Sequence, residues 1–242
     1  MPSRQAPVNK PPLVLPLLAL ETATDVCSVA VWLDGRVLAD ATVRRPQQHA
    51  TRLAPMIVTA LELAGLAPRD LGAVAVSGGP GSYTGLRIGA STAKGICAAL
   101  GLPLVAVASL DALAHGARPF VADGDRIAAL FNSRRGEVYA AVFAATPDGL
   151  DPLLAPAAVP VDDLPAWLAG AGGPLVLCGE GAARAAPVLP GTRVLGEALA
   201  APHAIHVARL GAARWERGET VDVAAWEPFY LKPFVPGSAA SG

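Results

Sequence analysis

The sequence predicts an α/β protein: a mixed sheet with helices packed on it, echoed in a second, smaller lobe. Three observations predict it. Residues 13–107 read as strand, strand, strand, helix, strand, helix, strand, the order of a mixed sheet with flanking helices. Each half of the chain carries one hairpin and one glycine-bearing turn after a strand. The 25 glycines and 23 prolines among 242 residues are spread throughout, so the elements are many and short.

Residues 13–20 form an apolar run interrupted by Pro16 and read as a buried strand. Residues 27–33 and 36–43 flank Asp34-Gly35, a pair suited to the positive φ values of a tight hairpin. The chain therefore opens as a three-stranded meander. Pro46-Gln47-Gln48-His49 breaks it. Leu53, Met56, Ile57, Ala60, Leu61 and Ala64 then recur at helical spacing. Pro55 sits either in the first turn of a helix beginning near Ala54 or at a kink in a longer one, and Gly65 ends it. Residues 71–76 are a short strand, 86–100 a second helix and 102–107 another strand. Residues 126–131 and 136–144 make a second hairpin around Asn132-Ser133-Arg134-Arg135. Residues 147–165 are proline-rich and read as irregular. Residues 175–178 are a strand leading to Gly179-Glu180-Gly181, and 202–217 a late helix with Ile205, Leu210 and Ala213 inward. The expected division is a disordered tail at 1–12, a first lobe at 13–109 completed by the helix near 202–217, a second lobe at 110–201 and a C-terminal tail at 218–242.

Composition excludes several classes. Hydrophobic residues are 52% and charged residues 16%, which rules out intrinsic disorder. Nineteen Lys and Arg balance twenty Asp and Glu, so the chain lacks the cation excess needed to grip nucleic acid alone. Cys27, Cys97 and Cys178 are odd in number and form no CxxC, which indicates neither a disulfide framework nor a zinc site. The early apolar run is shorter than the roughly 20 residues that span a bilayer. Glu21-Thr22-Ala23-Thr24-Asp25 follows it without a cleavage-site pattern. A cytoplasmic location with no membrane contact is expected.

The glycine loop Ser77-Gly78-Gly79-Pro80-Gly81-Ser82-Tyr83-Thr84-Gly85 is the most informative segment. A strand that ends in such a loop and opens a helix can present backbone N–H groups to an anion. It can equally be a tight turn that lets the helix lie close to the sheet. It matches neither the Walker loop nor the dinucleotide fingerprint. Glu21 and Asp25 flank the first turn and could hold a metal or serve as plain turn acids. The helix after the loop carries a small-residue ridge, Gly89, Ala93 and Cys97, and only Arg87 and Lys94 as charges. The first helix has only Arg52 and Glu62. A surface helix normally shows a charged back, so these two call for cover, from a partner or from the other lobe. His203 and His206 lie three apart but lack a third ligand. His49 reads as a helix cap, and Asn132, Arg134, Arg135 and Glu137 as solvated turn residues. No G-x-S-x-G is present.

Several segments together carry a resemblance. They are Leu18-Ala19-Leu20-Glu21-Thr22-Ala23-Thr24 with Cys27-Ser28-Val29-Ala30, the stretch from His49 to Ile57, and Gly79-Pro80-Gly81-Ser82-Tyr83-Thr84-Gly85-Leu86-Arg87-Ile88-Gly89 with Ala93-Lys94-Gly95. Arg135-Gly136-Glu137-Val138-Tyr139 completes the set. They resemble the bacterial TsaB (YeaZ-type) family, densely from Leu18 to Leu113 and patchily beyond. The resemblance implies an actin-like, sugar-kinase-like (ASKHA) fold of two ribonuclease-H-like lobes. It implies a non-catalytic subunit of the machinery that places a threonylcarbamoyl group on tRNA adenosine. That subunit pairs with TsaD, supports TsaE and meets tRNA only through the complex. The helical face of the first lobe would be the pairing surface, here His49, Arg52, Met56, Thr84, Arg87, Ile88, Ser91, Thr92 and Lys94. Alone, the chain could self-pair through that face. No cofactor is required and no metal or catalytic residue is assigned. ATP or ADP with magnesium at a subunit interface is the one ligand the resemblance leaves open, near Glu21, Thr22, Gly79, Gly81 and Ser82. The paralogue TsaD carries a metal-binding His-x-x-x-His where this chain has Ser109 and Leu113. Glu21 stands where the superfamily usually has Asp, and Asn132 where Asp is expected. The alternative is an active ASKHA ATPase or phosphotransferase using Glu21, the glycine loop and Gly179–Gly181.

Overall fold

A computed structural model describes residues 15–133, 136–196 and 201–232. The tail expected at 1–12, and Arg134 and Arg135, lie outside the described residues. In chain order the elements are β1 (Leu17–Glu21), β2 (Val26–Leu33), β3 (Arg36–Arg44), α1 (His49–Leu63), β4 (Ala73–Ser77), α2 (Tyr83–Leu100), β5 (Leu104–Val107), α3 (Ser109–Ala117), β6 (Arg126–Asn132), β7 (Glu137–Thr146), β8 (Gly149–Pro160), α4 (Leu164–Leu168), β9 (Leu175–Cys178), α5 (Ala182–Ala185), β10 (Arg193–Val194) and α6 (Ala204–Glu216).

Two five-stranded sheets result, ordered β3-β2-β1-β4-β5 and β10-β9-β6-β7-β8. Counted from the hairpin side, the second repeats the first: β8-β7-β6-β9-β10. In each, the first strand runs antiparallel to the second and parallel to the fourth. This duplicated mixed sheet with flanking helices is the actin-like, sugar-kinase-like architecture. The first hairpin turns at Asp34 and Gly35, with φ of 48° and 76°, both left-handed as that turn requires.

Alternation along the strands sorts the first core into two faces. Leu18, Leu20, Val74, Val76 and Leu104 point to α1 and α2, where they meet Leu53, Ile57, Ala60, Ala93 and Cys97. Leu17, Ala19, Ala73, Ala75, Val105 and Val107 point the other way, onto Ala204, Val207 and Ala208 of α6. The last helix therefore packs on the first sheet. The second sheet is covered by α3 on one face, through Leu110, Leu113, Ala114 and Ala117, and by Leu164, Leu168, Ala182 and Ala185 on the other.

Besides the elements α3, α4, α5 and β10, which the sequence did not announce, the structure differs from the sequence expectations, or decides between them, in four places. Helix α1 starts at His49, and Pro55 lies inside it without ending it. The proline-rich stretch contains β8, twelve residues long. Its prolines are tolerated because β8 is an edge strand, where N–H groups on the outer side have no ladder partner to lose. In α6 the buried residues are Ala204, Val207, Ala208 and Gly211, whereas Ile205 and Leu210 are only partly buried.

The fourth departure is the expected C-terminal tail, whose residues 221–232 pack as a strap. Val221 N–H donates to the Leu104 carbonyl at 2.9 Å on the β5 edge. Val221, Val223 and Trp226 join the core under α2. Lys94 Nζ donates to the carbonyls of Ala224 and Trp226 at 3.0 and 2.9 Å. Phe229 N–H reaches the Gly78 carbonyl at 2.7 Å, the Tyr230 ring stacks on Tyr83 at 4.9 Å, and Lys232 pairs with Glu137 of the second sheet. Lys94→Met should remove two bonds to partly exposed carbonyls and cost about 1 kcal/mol. Limited proteolysis should then cut near residues 221–227 several times faster than in the parent. Unchanged cleavage would mean that Lys94 does not hold the strap.

Candidate functional site

Most of the residues to which the sequence draws attention gather in two places, the turn between β1 and β2 facing the glycine loop, and α1 with α2. At the first, α2 is pressed against the turn. A Cβ on Gly85 would stand 2.1 Å from the Thr22 carbonyl oxygen, one on Gly89 2.2 Å from Thr22 Oγ1, and one on Gly81 2.3 Å from the Ala23 carbonyl oxygen. Only glycine permits that approach. Gly79, at φ 103°, would drive a Cβ to 2.3 Å from the Phe229 carbonyl oxygen.

The loop amides are bound within the chain. Gly78 N–H donates to the Val107 carbonyl at 2.7 Å and Ser82 N–H to the Ala23 carbonyl at 2.7 Å. Gly79 N–H donates to Ser109 Oγ at 2.9 Å. Ser82 caps α2, accepting from Gly85 N–H at 3.3 Å. Of the two readings of the loop, the geometry is that of a tight packing turn. A phosphate with magnesium does not fit it: the glycine clearances are filled by Thr22, Ala23 and Phe229, and these three amides are occupied. Gly179 and Gly181 pack in the same way against Leu130. A cleft of about 210 Å³ beside the β1–β2 turn is lined by Thr24, Asp25, Arg44 and Glu180 among others, and by none of Glu21, Thr22, Gly79, Gly81 or Ser82.

Glu21 and Thr22 are fully buried. Glu21 Oε1 accepts from Ala23 N–H at 2.6 Å, whereas Glu21 Oε2 and Thr22 Oγ1 have no partner among the described residues. Burial pushes the Glu21 carboxyl up from 4.5 to about 7, against the opposing pull of the Ala23 N–H and of the nearby Ser77 hydroxyl and Thr22 N–H. Between those two values the folded state holds a proton that the unfolded state has released, so stability falls as pH rises through this window and stays reduced above it. Glu21→Gln keeps the acceptor for Ala23 and has no charge to bury. It should raise the melting temperature at pH 8 by about 5 °C or more, from a relief on the order of 2–3 kcal/mol, and by much less at pH 4.5. An equal effect at both pH values would contradict a buried, titrating carboxyl.

On the helical side, Arg52, Thr84, Arg87 and Ser91 are exposed, while Ile88, Thr92 and Lys94 are half-buried. Arg52 flanks a groove between α1 and β3. Arg87 lies over the Tyr83 ring at 5.5 Å. Lys94 is engaged by the strap. His49 and Met56, placed on the pairing face by the resemblance, turn inward instead. The His49 ring is buried, with Nε2–H donating to the Val26 carbonyl at 3.2 Å, and Met56 joins the core. Ala93, read as part of a contact ridge, is likewise wholly buried against the sheet.

The remaining candidates have structural partners. His203 Nδ1 caps α6 through Ile205 N–H at 3.2 Å, and its Nε2 lies 2.9 Å from Thr42 Oγ1. Burial holds the His206 imidazole down at about 4. Leu113 is in the core, beside Ser109, which serves the glycine loop. Asn132 N–H donates to Glu180 Oε1 at 3.2 Å. Trp226, Phe229 and Tyr230, which complete the loop's surroundings, were missed by the sequence reading. The signal was present: three aromatic residues within five positions of a supposed tail.

The chain matches the family described as TsaD, tRNA N6-adenosine threonylcarbamoyltransferase, over residues 42–179. It is 38% identical over 135 residues to the tRNA threonylcarbamoyladenosine biosynthesis protein TsaB of Escherichia coli, covering 55% of this chain and 57% of that protein. It is 36% identical over 127 residues to the Bacillus subtilis protein of the same name, covering 52% and 54%. The chain thus spans about half the length of the curated relatives it matches. Among solved structures, YeaZ from Pseudomonas aeruginosa superposes with a TM-score of 0.78 at 32% identity, covering 90% of this chain and 100% of that one. With the duplicated sheets, the glycine-packed turn and this match along a full solved chain, the protein belongs to the TsaB (YeaZ) family.

Proposed function

We propose that this chain is a non-catalytic platform in tRNA threonylcarbamoyladenosine biosynthesis. It pairs with TsaD through the outer side of α2 and the adjoining part of α1, supports TsaE docking and meets tRNA only through the assembled complex. Alone, it pairs with a second copy through the same side. The cytoplasm is its expected location, and among the described residues no helix is long and apolar enough to cross a membrane.

The observation that carries the reading is the character of that wall. Thr84, Arg87, Ser91, Gly95, Ala98 and Ala99 are exposed along α2, and Ala54, Val58 and Leu63 along α1. Arg87 and Glu62, the latter following Val58 at helical spacing, are the charges of this row. Val58 and Leu63 are 55% and 71% exposed. Small residues permit close helix contact, and uncovered apolar side chains favour it. The strap covers the Lys94 flank and leaves this row open.

The non-catalytic part rests on the closed glycine loop and on Ser109 and Leu113, which cannot replace a metal-binding imidazole pair. Isothermal titration with ATP and magnesium, together with a phosphate-release assay on the purified chain, tests it. No micromolar binding and no turnover are expected. Micromolar affinity with turnover would make the chain an ASKHA ATPase.

A further inference from the structure

Of the four lateral edges of the two sheets, three are closed or broken. Val221 bridges the β5 edge, β10 has only two residues, and β8 carries Pro152, Pro156 and Pro160. The fourth edge, β3, is nine residues long, contains no proline and has no strand beyond it among the described residues. An open edge of that length is a template for another strand.

A groove of about 400 Å³ runs beside it, between β3 and α1. Ala41, Val43, Pro55 and Met56 give it an apolar lining, and Arg45 and Arg52 stand at its rim. No carboxylate lines it, and neither arginine has an ion-pair partner among the described residues. Ala41 and Val43 alternate along the strand and share one face, and Arg45 follows just past the strand's end. The groove lies over β3, whereas α2 packs over β4 and β1; its Arg52 and Met56, which the resemblance set on the pairing face, lie on the β3 side of α1 and away from the α2 wall.

We propose that the β3 edge and this groove receive an extended, acidic and apolar segment of another protein, added as a sixth strand. Its apolar side chains lie opposite Ala41 and Val43, and its carboxylates opposite Arg45 and Arg52. Main-chain bonds along the edge give affinity, and the alternate side chains give selectivity. The cationic rim fixes the sign: a basic segment would face uncompensated repulsion.

The test uses the full chain and a labelled peptide, acetyl-Glu-Thr-Val-Thr-Val-Thr-Glu-amide, whose palindromic order presents the same side chains in either strand direction. Fluorescence anisotropy at low salt should give binding at least tenfold tighter than for the analogue with lysine at both ends. The double variant Arg45→Glu/Arg52→Glu should reverse that order. Hydrogen exchange should slow in residues 36–44 on peptide addition and not in α2. Equal binding of the two peptides, no binding of the acidic one at millimolar concentration, or protection at α2 alone would overturn the proposal. So would an edge-to-edge homodimer that the peptide cannot displace. If the double variant loses its cooperative melt, the comparison of the two peptides on the parent chain decides alone.

Discussion

Ser91→Glu should weaken the complex with TsaD about a hundredfold while leaving the chain folded. Ser91 is exposed on α2 within a row of small residues. A carboxylate forced into a close helix contact is left desolvated and unpaired, a cost of about 3 kcal/mol, and 1.4 kcal/mol is tenfold in affinity. Titration calorimetry with purified TsaD measures it, and the melting temperature of the isolated variant should stay within about 2 °C of the parent. The neighbouring substitution Ala93→Arg cannot serve. Ala93 is wholly buried among Leu18, Val76 and Cys97, so arginine there would unfold the chain rather than probe a partner. Normal affinity of a folded Ser91→Glu variant would move the pairing surface off α2.

Gly85→Val should cost the fold about 3 kcal/mol or more and lower the melting temperature by about 6–12 °C. The position leaves no room, since a Cβ would meet the Thr22 carbonyl oxygen at 2.1 Å, and that oxygen belongs to backbone that can yield only by moving the β1–β2 turn. Gly95→Ala is the matched control. It lies on the same helix with nothing within 4 Å of its Cβ, and should stabilise by up to about 1 kcal/mol through helix propensity alone. If both variants melted alike, α2 would not be held by contact with the turn.

The parts of this fold that were readable in the sequence are those where local chemistry and tertiary structure agree. The Asp34-Gly35 turn dictates its own hairpin. The alternation in β1, β4 and β5 is apolar on both faces because helices cover both sides, and residues 175–178 form β9 as expected. Where the two disagree, the reading failed or stayed open. Pro55 left two helix starts open, and packing of Leu53, Met56 and Ile57 on the sheet goes with the longer helix despite the lost bond. The prolines of β8 suggest a loop because periodicity cannot reveal which strand lies at an edge. Helix α3 was not predicted, although it packs through Leu110 and Leu113. Its nine residues are too few for a repeating apolar stripe to stand out.

The candidate site was legible as a set of residues but not as a geometry. Thr22 and Ala23 meet Gly81, Ser82, Gly85 and Gly89, whereas Gly79 meets Phe229 and Ser109. Whether they surround a ligand or each other depends on distances of a few tenths of an ångström between α2 and the turn. The strap adds contacts from more than a hundred positions away, Lys94 to Trp226 among them. The inward turn of His49 and Met56 has a similar origin. Both lie on the stripe of α1 that faces β2 and β3, which could be assigned only once the sheet order was known.

The central proposal is that this chain serves the modification pathway through the surface it presents to TsaD. Reconstitution measures that most directly, with tRNA, threonine, bicarbonate and ATP supplied to the remaining enzymes of the pathway, with and without the chain. Modified adenosine should form only when it is present, and Ser91→Glu should lower the yield in step with its loss of TsaD affinity. Full modification without the chain would contradict the account.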